Sequence, residues 1–188
     1  MITTSIKNIV KKNFLLSCLG YCYINCKINI KTALGIIGTD SGTTHRTLST
    51  QHSLNYIQSV FDDYKRYGEV NKFKGLIAEV GPGDNVGVAL LMLQDGAQRI
   101  DLADKFYSHR KGHHHKKIYQ ALFKNNPNLK KILTGGDLED EETFKGIYRY
   151  YGKDAAAECF FNTSNHYDFI ISRSVFEHLD DPILALDK

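Results

Sequence analysis

The sequence predicts an α/β fold built on a mainly parallel sheet, and three observations carry that expectation. Short apolar runs of strand length end in polar residues at 76–80, 99–104 and 169–171. A glycine turn, Gly81-Pro82-Gly83, follows the first run and leads into an apolar helical pattern from Val86 to Leu93. Asp104 closes the second run, 21 residues beyond Gly83. Apolar strands alternating with helical patterns are the signature of crossover units, in which helices cover a parallel sheet.

Each element has a reason. Leu54, Ile57, Val60, Phe61 and Tyr64 recur at helical spacing, with Ser53 expected as the cap, and this helix precedes the first strand. Leu76-Ile-Ala-Glu79-Val is a strand that ends beside an acid. Glycine at 81 and 83 permits positive φ and close approach of a ligand. The following helix start offers unpaired N–H groups and a positive dipole end, suited to a nucleotide-like ligand. A dinucleotide turn wants G-x-G-x-x-G, but here the third glycine, Gly87, falls one residue late, and Pro82 supplies no donor. Asp104 is positioned to accept both hydroxyls of a ribose, with Asp101 ranked second. Residues 105–144 exceed the one helix a minimal unit needs and read as an insertion, with Tyr107, His109 and Arg110 as residues to meet a substrate.

The string Glu79-Val-Gly81-Pro-Gly83 resembles motif I of the class I S-adenosylmethionine-dependent methyltransferases. Val175-Phe-Glu177-His178-Leu-Asp-Asp181-Pro182, after the strand at 169–171, closely resembles that family's fourth-strand segment, and Gly152-Lys-Asp154-Ala155 is similar to its stretch after the third strand. The resemblance implies a Rossmann-like core, S-adenosylmethionine as cofactor and a small-molecule methyl acceptor. It implies cofactor contacts at Glu79, Gly81, Gly83, Asp104, Asp154, Ala155, Ser172 and Arg173, with Asp154 on the adenine amino group and Ala155 contributing backbone. His178, Glu177 and His166 are general-base candidates by residue type, and none is singled out. The family's sheet usually has seven strands and about four are placed here, so a C-terminally truncated chain is expected. The expected division is a helical extension and linker over 1–70 and a cofactor-binding domain over 71–188. Two alternatives stand beside methyl transfer: a catalytically silent cofactor-binding or scaffolding module, and a nucleotide-dependent oxidoreductase with an irregular glycine motif.

Composition sets bounds. The 188 residues are 42% hydrophobic and 24% charged, enough for a real core. A formal net charge of +3 and the lack of an aromatic-interleaved basic motif argue against nucleic acid. From Lys105 to Lys131 there are eight Lys or Arg and no acid, followed by Asp137, Glu139, Asp140, Glu141 and Glu142. Segregated charge of this kind attracts an acidic partner or its own opposite.

The first 50 residues carry little chemistry. The apolar stretch 14–24, preceded by Lys11-Lys12, lacks a cleavage pattern and is too short to span a bilayer. No stable membrane insertion is expected, and an interfacial helix stays open. The segment 38–44 reads as a flexible link. Cys18, Cys22 and Cys26, spaced by four, miss the C-x-x-x-C-x-x-C of an iron–sulfur site and are expected to lie buried along one helix face. No disulfide is demanded, so a reducing cytoplasm is the expected compartment. His113-His114-His115 do not converge on one ion, and no metal is expected; on a helix only His109 and His113 would share a face, and the segment reads as a solvated basic one.

Overall fold

The structure, a computed structural model, describes residues 12–187; Lys11 and Lys188 lie outside it. The chain divides into two units at Ile37/Gly38. Among its described residues the first holds α1 (Phe14–Ala33), capped by Asn13, whose side chain accepts the Leu16 N–H. No residue of α1 is buried, so Cys18, Cys22 and Cys26 are exposed rather than buried along a packed face. No helix among the described residues is long and apolar enough to cross a membrane.

The second unit is an α/β layer structure. Its main sheet has four strands, β2 (Gly75–Val80), β3 (Ala97–Asp104), β5 (Ile147–Tyr151) and β6 (Phe169–Ser172), all parallel, in the order β5-β3-β2-β6. The order reverses at β2, because β3 and β5 are added on one side and β6 on the other. In open parallel sheets the ligand crevice lies at such a reversal, outside the carboxyl ends of the strands.

Register places unlike chemistry on the two faces. Ile77, Ile100, Ile147 and Phe169 form one row, and Glu79, Leu102, Arg149 and Ile171 the next, on the same face. That face packs on α2 (Thr50–Tyr67), α3 (Gly87–Asp95) and α4 (Gly112–Asn125), through Ile57, Leu90, Met92, Ile118 and Tyr119. Each fully buried Leu or Ile there contributes about 1.5–3 kcal/mol. The opposite face carries Ala78 and Val80, packed with Ala157 of the short helix α5 (Ala157–Phe160) and with Phe161 and Tyr167.

Local signals explain most boundaries, and two readings change, the cap of α2 and the link after Gly38. The cap of α2 is Ser49, whose side chain accepts the His52 N–H; Ser53 is buried one turn inside. His109 precedes α4 and shares no helix face with His113. Gly87 opens α3 and lies where a Cβ would stand 2.5 Å from Ile57 Cδ1, so the late third glycine lets α2 approach α3. Finally, 38–46 is no loose link. Its β1 (Gly38–Thr39) pairs in parallel with β4 (Tyr107–Ser108), and the segment crosses the glycine turn as a strap. A last helix, α6 (Pro182–Leu186), is capped by Asp181, whose side chain accepts the Leu184 N–H.

Candidate functional site

The carboxyl ends of β2, β3 and β6 bring the motif residues together. Beyond β2 the chain turns through Gly81 (φ 74°) and Gly83 (φ 69°), a left-handed conformation that L side chains adopt at a cost. Both missing Cβ positions are taken by the chain itself. A Cβ on Gly81 would collide with Val175 Cγ2, and one on Gly83 would lie 3.0 Å from the Gly42 carbonyl oxygen. The loop after β6 thus closes on one glycine and the strap on the other.

Asp84 fastens the strap. Its carboxylate accepts the backbone N–H of His45 (3.2 Å) and of Arg46 (3.0 Å), and its own N–H donates to the Gly42 carbonyl at 3.1 Å. Ser108 Oγ donates to the Ser41 carbonyl at 2.9 Å. The buried His115 ring donates through Nδ1 to the Lys111 carbonyl (3.0 Å) and holds Nε2 3.5 Å from Asp84 Oδ2, at the outer limit of hydrogen bonding. Burial opposes charge on Asp84, but the neighbouring His115, His45 and the backbone donor outweigh it and hold its pKa below the usual value. Burial pushes the His45 imidazole down to about 4.

Glu79 lies under α2 rather than in open solvent. It is 5% exposed, and Tyr64 Oη donates to its Oε1 at 3.2 Å. Burial raises its pKa to about 7, against the lowering effect of the Tyr64 hydroxyl and of Arg149. The same burial, with Glu79 beside it, drives the Tyr64 phenol upward.

Asp104 ends β3 half-buried. Its Oδ1 accepts the Phe106 N–H at 3.0 Å, and Oδ2 has no hydrogen-bond partner among the described residues. Burial raises its pKa, opposed by the Phe106 N–H and Arg149. Asp101, by contrast, is committed: Arg99 Nε donates to Oδ1 and Tyr167 Oη to Oδ2, both at 2.8 Å. The two acids separate cleanly, one occupied and one half-open.

Behind Asp104 lies a buried ionic cluster not read from the sequence. Arg149 donates from Nη1 to Glu141 Oε2 and from Nη2 to the Gly83 carbonyl, both at 2.6 Å. Arg110 pairs with Glu141 Oε1 at 2.6 Å, and Tyr119 Oη donates to the same oxygen at 3.0 Å. Tyr119 in turn accepts the Val86 N–H, while Asn85 Oδ1 accepts that of Gly87. Two amides at the start of α3 are therefore satisfied within the fold. The basic-then-acidic charge pattern of 105–142 was the available signal, and it pairs with itself at Arg110–Glu141, which is buried, and at Lys116–Glu139 on the surface.

The remaining predicted residues spread outward. Ser172 Oγ donates to the Val80 carbonyl at 3.2 Å, which joins β6 to β2. Arg173 turns to α2, where Nη1 donates to Asp63 Oδ2 at 2.9 Å and the guanidinium lies over the Tyr56 ring. Asp154 is exposed, and the Ala155 N–H already donates to Gly152. Glu177 and His178 are exposed in a single 3-10 turn, and His166 is exposed with its ring on Tyr167. Lys105 Nζ bonds Asp180 Oδ2 at 2.7 Å, so the loop that bears Glu177 and His178 is tied back to the end of β3.

One surface cavity, about 390 Å³, sits on α2 beside Asp62, Asp63 and Arg66; another, about 770 Å³, runs along β5 beside Tyr107, Arg110, Tyr151 and Arg149, the residue that reaches the Gly83 carbonyl. No group of His, Cys, Asp and Glu among the described residues is arranged to hold a metal ion. Comparison with protein-family models, with curated proteins and with solved structures finds no match to this chain.

Proposed function

We propose that this chain binds S-adenosylmethionine at the carboxyl ends of β2 and β3 and belongs to a methyltransferase acting on a small-molecule acceptor. The observation that carries this reading is Asp104: a half-buried carboxylate with one oxygen unpartnered, at the end of the strand beside the glycine turn and next to the reversal in strand order. Such a carboxylate accepts vicinal ribose hydroxyls. The satisfied amides of Val86 and Gly87 leave less of the α3 start for a pyrophosphate, which weighs against a dinucleotide and hydride transfer.

The bound sulfonium would supply an already activated methyl group, so the protein's work is alignment and exclusion of water. Gly81 and Gly83 set the path of the turn, Asp104 orients the ribose, and Ser172 fixes the reversal point by joining β6 to β2. A hydroxyl or N–H acceptor gives up a proton as it takes the methyl, and the exposed side chains of Glu177 and His178 are the bases that follow β6 in the chain.

A second reading, a silent binding or scaffolding module, is favoured by the strap, whose Gly42 carbonyl oxygen rests on Gly83. Calorimetric titration of the chain with S-adenosylhomocysteine, beside Asp104→Ala and an NAD control, tests both. Binding weakened at least about tenfold in the variant, a loss of ~1.4 kcal/mol, supports cofactor recognition. No binding by the folded chain, or binding of NAD instead, overturns it. Binding without transfer to any acceptor favours the silent module.

A further inference from the structure

The cavity along β5 holds chemistry that the proposed cofactor contacts do not use. β5 is an outer strand of the sheet, so this space of about 770 Å³ lies on the sheet edge, one strand beyond β3. Its volume is that of a small-molecule pocket. Phe144, Ile147 and Tyr151 give it apolar wall, and Tyr107 meets Tyr151 edge to face, with ring centroids 4.9 Å apart. The insertion residues Tyr107 and Arg110, expected from the sequence to meet a substrate, both line it.

The charge of the lining is sorted by depth. Arg110, Arg149 and Glu141 are its buried ionic members, with side chains 15%, 8% and 8% exposed, so two cations share one carboxylate. Asp140, Glu142 and Lys145 also line the cavity, but they are exposed and screened by water. The shortage of acceptors shows in the hydrogen bonds. Arg149 Nε is buried without an acceptor among the described residues, and so is Arg110 Nη1, whose 2.6 Å contact with Glu141 Oε1 is an ion pair without hydrogen-bond alignment. Glu79 and Asp104 feel the charge of Arg149, but among the described residues neither bonds it. Buried donors are almost always met in folded proteins, and a buried excess of charge favours a counter-ion.

We propose that this cavity binds a small planar aromatic acid, with its carboxylate on Arg110 and Arg149 and its ring against Tyr107 and Tyr151. A carboxylate fixed to a ring offers two oxygens in one plane, the match for a guanidinium fork. The ring joins a tyrosine pair that already has the geometry of aromatic packing. Asp140 and Glu142 repel a second anionic group, so a monoacid is preferred over a polyanion. The site is independent of the cofactor reading and stands whether or not the chain binds S-adenosylmethionine.

The full chain, labelled with nitrogen-15, is to be titrated with 4-hydroxybenzoate, its neutral amide 4-hydroxybenzamide, cyclohexanecarboxylate and inorganic phosphate. Expected is saturable binding of 4-hydroxybenzoate that shifts the amides of 107–110 and 147–151 and the Arg149 Nε–H resonance. The neutral amide is expected to bind at least about tenfold more weakly, and cyclohexanecarboxylate and phosphate several-fold more weakly. Arg110→Gln is expected to weaken the aromatic acid at least about tenfold. Tyr151→Leu, which leaves the ionic cluster whole, keeps the test open if Arg110→Gln does not fold; it is expected to weaken 4-hydroxybenzoate and leave phosphate unchanged. Equal binding of acid and amide, phosphate as tight as the aromatic acid, shifts confined to 81–84, or no saturable binding at millimolar probe would each overturn the proposal.

Discussion

Arg149 holds the glycine turn from behind: its guanidinium donates to the carbonyl of Gly83 at 2.6 Å while its other nitrogen grips Glu141. The edge strand, the insertion and the turn are thereby one ionic unit. Arg149→Ala leaves Glu141 buried with Arg110 as its remaining cation, and truncation of one member of a buried pair costs about 3–5 kcal/mol. Urea denaturation is expected to show that loss. Arg149→Lys restores little of it, because an ammonium does not reproduce the fork that reaches both acceptors.

Gly81→Ala introduces two penalties that a double-mutant cycle separates. The positive φ costs about 1–2 kcal/mol for an L residue, and the new Cβ meets Val175 Cγ2. Val175→Ala opens the space, so Gly81→Ala/Val175→Ala is expected to recover the steric part and keep the backbone part, giving a coupling of favourable sign in thermal melts. Strict additivity would show that Val175 does not close on the turn.

The pH dependence divides into two opposing windows. Glu79 takes up its proton at about 7 in the folded chain against an ordinary 4.5, so the folded form binds the proton first. Its contribution is full below 4.5 and lost as pH rises through 7. Glu79→Gln is therefore expected to stabilise the protein at pH 8, by about 1–3 kcal/mol, and to lose that advantage near pH 4.5. Stability curves of the two proteins across this range check the sign.

The strap responds the other way. His45 is held at about 4 against an ordinary 6.5, so unfolding takes up the proton, and its contribution is full above 6.5 and lost as pH falls toward 4. Asp84, depressed below its ordinary 3.8, adds a contribution lost at still lower pH. Hydrogen exchange at the His45 and Arg46 amides is expected to accelerate as pH falls through this window, after correction for intrinsic rates. At neutral pH Asp84→Asn is expected to speed the same two amides several-fold, since it removes the charge from both bonds.

Much of the fold was legible before any coordinate. Strand runs at 76–80, 99–104 and 169–171, the glycine turn and the helical spacing of 54–64 became β2, β3, β6, the turn and α2. These features are local: periodicity, β-branched content and turn chemistry act within a few residues of one another. Ser49 for Ser53 as cap is a shift of one turn, because both serines precede apolar residues at helical spacing and only the path of the chain selects between them.

What the sequence by itself determined is the parallel α/β character and the positions of Gly81, Gly83 and Asp104 at strand ends, since each follows from short-range steric and hydrophobic pattern. Only the tertiary structure decided that 38–46 is a strap locked by Asp84, that Arg173 faces Asp63, that Glu79 is sealed under Tyr64, and that Arg110, Glu141 and Arg149 form one cluster. Those partners are joined by folding rather than by neighbourhood in the chain. A charged residue reads the same in sequence whether water, an ion pair or an open crevice receives it, and burial against distant elements makes that choice.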